Sequence, residues 1–291
     1  MRVIPIHCCM LLPCLCFHPA KQDIPLGFVK DAVDDMYFGC NETMVNVIDK
    51  YFERENTGMF AVIWKKARNC AQRNLDYKDK DKDLTMDHML AICAYTSSFE
   101  KLYEQFNDAV RTKRSSYVTS FPFHSLHFWL TSAVQILSRN TKCLTTYRRS
   151  NLIFTGHVNN IIRYGFFASS SRKPSLLHFG EKTCFKIKTC SGAYLKKYPQ
   201  IKDYEEEVLI PPYEIFKITE KIQNIPTNEN NYSWSHASKG APTTRGQYED
   251  PGGPPTPLEM GKDWTHKALR AQNPPKLPSC QEFSNIAQMS T

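Results

Sequence analysis

Three short stretches carry side chains able to act on a charged, sugar-bearing substrate. Tyr147-Arg148 closes a β-type run, and an arginine held on a rigid strand can grip a pyrophosphate with its fork of donors. The same residue at a strand end also serves simply as a surface charge. Arg163 to Ser171 is an apolar run ending in Ser169, Ser170 and Ser171. Those hydroxyls suit a neighbouring carboxylate or a ribose, or form an ordinary serine-rich turn. In Glu205-Glu206-Glu207-Val208-Leu209-Ile210-Pro211-Pro212, strand alternation puts Glu205 and Glu207 on one face, directly before a buried strand. Two carboxylates on one face repel unless a base, an ion or a cationic partner uses them; a solvated acidic loop is the alternative. The GxSxG elbow of a serine hydrolase is missing.

The elements that must position these residues change character three times. From about Asp31 to Asn140 the apolar period is helical: Phe99, Leu102, Tyr103 and Phe106 recur at three- and four-residue steps. The run from Leu126 to Leu137 is apolar on a broad face and predicts a buried helix ending near Ser138. Asp76 to Asp83 alternates in charge without apolar positions and reads as a solvated loop between helices. From about Cys143 to Ile218 the period becomes two, with short runs at Leu144–Tyr147, Ile162–Ala168, Cys184–Cys190, Val208–Ile210 and Tyr213–Ile218. All three chemical stretches lie in this β-rich half. No long helix separates its strands, so a doubly wound parallel sheet is not expected. After about Lys221 Pro, Gly, Asn, Ser and Thr predominate, and the reading is a disordered tail over 222–291.

Residues 1–20 combine Arg2, an apolar centre and Ala20 before a polar stretch, the pattern of a secretory signal. Without Cys8, Cys9, Cys14 and Cys16, seven cysteines remain, an odd number that permits disulfides and leaves at least one thiol. No CxxC pair or Cys/His cluster with zinc spacing remains, so no metal is expected. Asn41-Glu42-Thr43 and Asn231-Tyr232-Ser233 are glycosylation sequons. The net charge of +8 on 291 residues comes without a long Lys/Arg block, giving no case for nucleic acid. Beyond the first twenty residues no apolar run is long enough to span a membrane, and Gln288-Met289-Ser290-Thr291 shows no lipid-anchor signal.

Taken in order, Arg148, the triple serine and Glu-x-Glu resemble the signature of the arginine-specific ecto-ADP-ribosyltransferases and their toxin relatives. Asp34-Asp35-Met36-Tyr37-Phe38-Gly39-Cys40 resembles the motif that opens that family's domain, and Phe121 to Thr131 its central helix. Phe179-Gly180 and Thr189-Cys190-Ser191-Gly192-Ala193 follow in family order. The resemblance covers about Asp31 to Ile218. It implies an α+β fold: an N-terminal helical region packed on a split, mainly antiparallel β core, in a domain over 21–221.

The resemblance also implies roles. Arg148 binds the phosphates of NAD+, and Ser169 bonds the nicotinamide ribose and orients the catalytic carboxylate. Glu207 holds the ribose 2′-hydroxyl and stabilises the cation that forms as the glycosidic bond breaks. Glu205 meets the guanidinium of the acceptor arginine. Phe179 stacks on the nicotinamide ring, although its spacing from Ser169 is about one residue shorter than usual. Cys143 and Cys190 are the pair the family pattern bridges. NAD+ is then a substrate, not a resident cofactor, and the partners are secreted or extracellular proteins presenting arginine. The alternatives are an inactive ectodomain that binds partners and an NAD glycohydrolase. Two departures stand out. Arg149 occupies a position where the family usually has glycine, and is expected either to crowd the cleft or to add a phosphate contact. Residues 222–291 do not resemble the family's final strands, so the pairing of Cys40 with Cys280 is in doubt.

Overall fold

A computed structural model describes residues 23–76, 81–97, 99–201, 203–224 and 231–238. The helical half holds α1 Asn41–Glu55, α2 Gly58–Asp76, α3 Met86–Tyr95, α4 Leu102–Thr112, α5 Tyr117–Ser120 and α6 His124–Ser138. Their apolar stripes make one core. In α1 Met44, Ile48 and Tyr51 turn inward at steps of four and three, while α6 is buried on nearly every side. The first turn of α6 is closed by a carboxylate from another helix: Glu55 accepts the His124 N–H at 2.6 Å and the Ser125 N–H at 2.9 Å. Those donors have no partner within the helix, and a negative charge is favoured there. In the acidic stretch between α2 and α3, Lys82 and Asp83 are exposed as its composition predicts, but Asp81 is not. Asp81 accepts bonds from Lys196 Nζ and the Tyr198 hydroxyl, both at 2.6 Å, and so docks the loop on the β half.

The β half is an eight-stranded sheet. Its strands are β2 Leu144–Ser150, β4 Ile161–Arg163, β5 Ala168–Ser171, β6 Thr183–Thr189, β7 Ala193–Tyr194, β8 Glu207–Ile210, β9 Ile215–Asn224 and β10 Asn231–Ser238. They lie in the order β4-β9-β10-β6-β2-β5-β8-β7, and every pairing except β6 with β10 is antiparallel. Two short strands, β1 Ile24–Pro25 and β3 Phe154–Thr155, pair in parallel beside it. Alternation splits the core in two. Phe167 and Leu209 face the helical cluster, while their neighbours Ala168 and Ile210 join Phe185, Ile187, Phe216 and Ile218 in a second one. The α+β class and the mainly antiparallel core are as the sequence implies. Among the described residues no helix is long and apolar enough to cross a membrane.

The domain boundary at 221 needs correcting. β9 continues to Asn224, and β10 pairs antiparallel with β9 and parallel with β6 over Tyr232 to Ala237. His236 anchors β10 in the second core: it is 2% exposed, and its Nε2 lies 3.0 Å from the Tyr164 hydroxyl. Backbone pairing on both sides stabilises a segment whose apolar content is too low to reveal it. Asn231 opens this strand, and Asn41 is the exposed first residue of α1. The reading of residues 1–20 as a signal, and of the chain beyond Ser238 as a tail, lies outside the described residues.

Cys143 and Cys190 form a disulfide across the ends of β2 and β6. A second bridge, Cys70–Cys93, staples α2 to α3, and Cys184 is a free thiol. Cys40 is disulfide-bonded as well; Cys280, weighed above as its partner, lies outside the described residues.

The segment before α1 is tied to both halves through Asp34, whose carboxylate pairs with Arg114 and Arg163. Arg163 is 4% exposed, and its guanidinium is held less basic than usual by burial. Removing one member of a buried ion group leaves the others uncompensated. Asp34→Asn is therefore expected to cost about 3–5 kcal/mol, read as a lower midpoint in urea unfolding. A wild-type midpoint would show that the two arginines do not depend on this charge.

Candidate active site

The sheet nearly comes apart between β2 and β5, whose ladder is reduced to the single pair Tyr147↔Ser171. A cavity of about 500 Å³ opens at that parting, against the helical layer. Arg148 from β2, Ser169 from β5, Glu207 from the start of β8, and Glu205 and Phe179 from the flanking loops all line it. The five residues singled out by sequence thus meet in one place. Glu205 and Glu207 arrive there by a different route from the one their spacing suggested. Only Glu207 belongs to a strand, and Glu206 between them has a positive φ of 44°. A tight turn, not strand alternation, brings both carboxylates to the cavity. Ser171 holds that turn by donating its hydroxyl to the Glu205 carbonyl at 2.5 Å.

Arg148 Nη1 donates to the Ser169 carbonyl at 2.6 Å, and its guanidinium sits 5.7 Å from the centre of the Phe166 ring. The arginine is therefore held at a fixed height on the cavity wall. Glu207 is 6% exposed. Burial lifts its carboxyl from 4.5 to about 7, against a bond from the Ser169 hydroxyl that favours the charged form; the nearby Glu205 raises it further. Glu205 is raised as well, chiefly by burial, and opposed by His178, whose Nε2 lies 4.0 Å from its carboxylate. Phe179 is half-exposed at the rim, with its ring 4.1 Å from that of His178. Gly180 lets this loop lie on β2: a Cβ there would come within 2.2 Å of the Ser150 backbone, and its φ is +142°.

Sequence reasoning missed four residues that build the site. Tyr95 and Asn107 reach the cavity from α3 and α4. Glu214 is 4% exposed and ties the turn after β6 by accepting the Cys190 and Ser191 N–H groups at 2.7 and 3.1 Å. His178 beside Phe179 is the fourth. None belongs to a spacing pattern that marks chemistry; the nearest signal is that Glu214 follows the Pro211-Pro212 stop.

The chain has relatives among known proteins. The family model described as NAD:arginine ADP-ribosyltransferase matches residues 26–231. The chain belongs to this family. Ecto-ADP-ribosyltransferase 5 of Rattus norvegicus is 32% identical over 230 residues, covering 72% of this chain and 74% of its own. NAD(P)(+)--arginine ADP-ribosyltransferase 2 of Gallus gallus is 34% identical over 202 residues, covering 67% of this chain and 64% of its own. Among solved structures, a mutant of the eukaryotic mono-ADP-ribosyltransferase ART2.2 in complex with NADH superposes with a TM-score of 0.61 at 28% identity, covering 77% of this chain and 97% of that one. The ADP-ribosyltransferase fold is therefore shared through nearly the whole of that neighbour.

The raised Glu207 has a thermodynamic signature. The folded state keeps a proton that the unfolded chain releases from about pH 4.5 upward. Stability from this group is therefore highest below 4.5, declines through about 7, and stays low above it. Asp35, lifted to about 6 mainly by burial, adds a parallel slope, so a difference is needed. Relative to the wild type, Glu207→Gln is expected to gain stability progressively across that window. The gain should reach on the order of 3 kcal/mol above pH 7 in unliganded protein, followed by urea unfolding at a series of pH values. A difference that is flat with pH would mean Glu207 is already ionised at acid pH.

Proposed function

We propose that this protein transfers the ADP-ribose of NAD+ to arginine side chains of extracellular proteins and releases nicotinamide. NAD–arginine ADP-ribosyl transfer is the activity of the family. The observation that carries the reading to this chain is the convergence of Arg148, Ser169, Glu205 and Glu207 in one cavity.

Each side chain has a distinct part. Arg148, braced on the Ser169 carbonyl, pairs with the pyrophosphate of NAD+. Glu207 faces the nicotinamide ribose. As the bond from C1′ to the nicotinamide nitrogen breaks, its electron pair leaves with the neutral ring, and an oxocarbenium-like cation develops on the sugar. A carboxylate fixed in a water-poor site stabilises that charge far more than one in bulk water. Ser169 favours the ionised form of Glu207. Glu205 pairs with the acceptor guanidinium, whose nitrogen attacks C1′ and gives up a proton; Phe179 covers the nicotinamide side from the rim. With water in place of arginine, the same cation yields NAD hydrolysis. The sequence needs no metal ion.

An extracellular setting is supported by disulfides such as Cys70–Cys93 and Cys143–Cys190, which persist in oxidising compartments, and by the name of the ecto-ADP-ribosyltransferase 5 relatives. The mouse relative named GPI-linked NAD(P)(+)--arginine ADP-ribosyltransferase 1 is 34% identical over 215 residues. Secretion through residues 1–20 and glycosylation at Asn41 and Asn231 belong to the same reading.

The two glutamates separate the steps. With labelled NAD+ and agmatine, Glu207→Gln should lose both ADP-ribosylagmatine formation and nicotinamide release, by roughly 10²–10³-fold. Glu205→Gln should lose transfer to agmatine while keeping hydrolysis within a few-fold of wild type. Equal losses of both activities in both variants would refute the division of roles. A wild-type chain that makes neither product would refute the proposal itself.

A further inference from the structure

Two polar side chains of the helical layer line the cavity without a part in the chemistry just described. Tyr95 is the last residue of α3 and is 4% exposed; Asn107 lies within α4. The Tyr95 hydroxyl donates to the Phe167 carbonyl at 2.5 Å and accepts from Asn107 Nδ2 at 3.0 Å. Asn107 Nδ2 also lies 3.2 Å from that carbonyl, and its Oδ1 accepts the Phe167 N–H at 3.1 Å. Both polar groups of Phe167 are thus held by side chains from two different helices. Phe167 immediately precedes β5, and Ser169 is two residues further on. From the opposite side Arg148 holds the Ser169 carbonyl. The backbone from Phe167 to Ser169 is therefore gripped at one end by the helices and at the other by β2.

This grip bears on where the Ser169 proton goes. Its hydroxyl interacts with both the Tyr95 oxygen and the Glu207 carboxylate, and a hydroxyl has one proton to donate. The Tyr95 oxygen already accepts from Asn107, and a carboxylate is the stronger acceptor, since charge-assisted bonds are about twice as strong as neutral ones. We propose that Tyr95 and Asn107 are positioning residues for ADP-ribosyl transfer, locking the Phe167 peptide so that Ser169 donates to Glu207 and stays in register with Arg148. This rests on the assignment of Glu207 above. Neither residue touches the reacting atoms in this role; both act through the backbone that presents Ser169.

Tyr95→Phe is the discriminating variant, because it keeps the ring contacts with Phe106 at 6.0 Å and Phe167 at 6.1 Å and removes only the hydroxyl. In the full chain with NAD+ and agmatine, kcat for transfer and for hydrolysis should both fall roughly 10–100-fold, with KM for NAD+ moving less than about threefold. Asn107→Ala should fall similarly, and the double variant should lose much less than the product of the two effects, because both act on one peptide. A second measurement does not use activity. With Ser169 less well aimed, the Glu207-dependent decline of stability should run about half a pH unit higher in Tyr95→Phe than in wild type. That shift should vanish in a Glu207→Gln background. If wild type neither transfers nor hydrolyses, the functional reading fails while this titration still decides the clamp. An unchanged titration overturns the proposal, whether or not kcat falls. So does a lower Tm with kcat and pH profile kept, which would make Tyr95 a purely structural residue.

Discussion

A carboxylate withdrawn from water at the start of β8 sets the terms for the groups around it. Glu207 is nearly inaccessible and lifted to about 7, which is the energetic mark of a charge that the fold does not fully compensate. A buried charge without a partner is costly, so it persists only where the rest of the fold is stable enough to offset that cost. Neither layer could enclose the cavity alone: the sheet provides Arg148, Ser169 and Glu207, and the helices provide the lid of Tyr95 and Asn107. The thinning of the ladder between β2 and β5 to one pair is what leaves room for a substrate at the boundary.

Other buried carboxylates differ from Glu207 in how their charge is used. Glu55 is saturated by two N–H groups and a hydroxyl at the start of α6. Glu214 takes two N–H groups and the Thr189 hydroxyl at the turn after β6. Asp34 is neutralised by two arginines. Each of these is spent on holding backbone or cation in place, and an added cation would find its charge already used. Glu207 has the Ser169 hydroxyl and a second carboxylate for company, so the field it generates points into the cavity. A positive charge arriving or forming there gains what the empty site lacks.

The chemistry was more legible in the sequence than the framework that supports it. Arg148, Ser169, Glu205 and Glu207 each say little alone; it is their order that resembles a known family, and Phe179 was named only through that resemblance. The period-two reading also located β2, β6 and β8 to within a few residues, and the start but not the end of β9. What failed was whatever depends on partners far away in the chain. Ile162–Ala168 reads as one strand, yet Gly165 at φ +69° divides it into β4 and β5, which sit on opposite flanks of the sheet. The strand β10 alternates Tyr232, Trp234 and His236 at period two, but its serines and asparagine hid the pattern among breakers. Cys70 and Cys93 lie on two helices whose packing no spacing rule foretells, and a count of seven cysteines only left room for their bridge.

Arg149 shows how a departure from a family pattern can be absorbed. Arg148 and Arg149 both line the cavity, but only Arg148 is braced on the Ser169 carbonyl. Arg149 Nε instead donates to the Pro174 carbonyl at 2.8 Å, in the loop that leaves β5 and leads to Phe179. The same loop is fastened at Lys173, whose Nζ reaches the Tyr204 carbonyl at 2.7 Å, and at Arg172, whose N–H reaches the Glu206 carbonyl at 3.2 Å. Those contacts link it to the turn that carries Glu205. A glycine at position 149 would leave the Pro174 carbonyl without this donor. The Arg149 bond restrains this loop where it leaves β5. Arg149, which was expected to crowd the cleft or to contact phosphate, is among the residues lining the cavity, and its bond to Pro174 makes it at the same time a strut for the rim bearing Phe179.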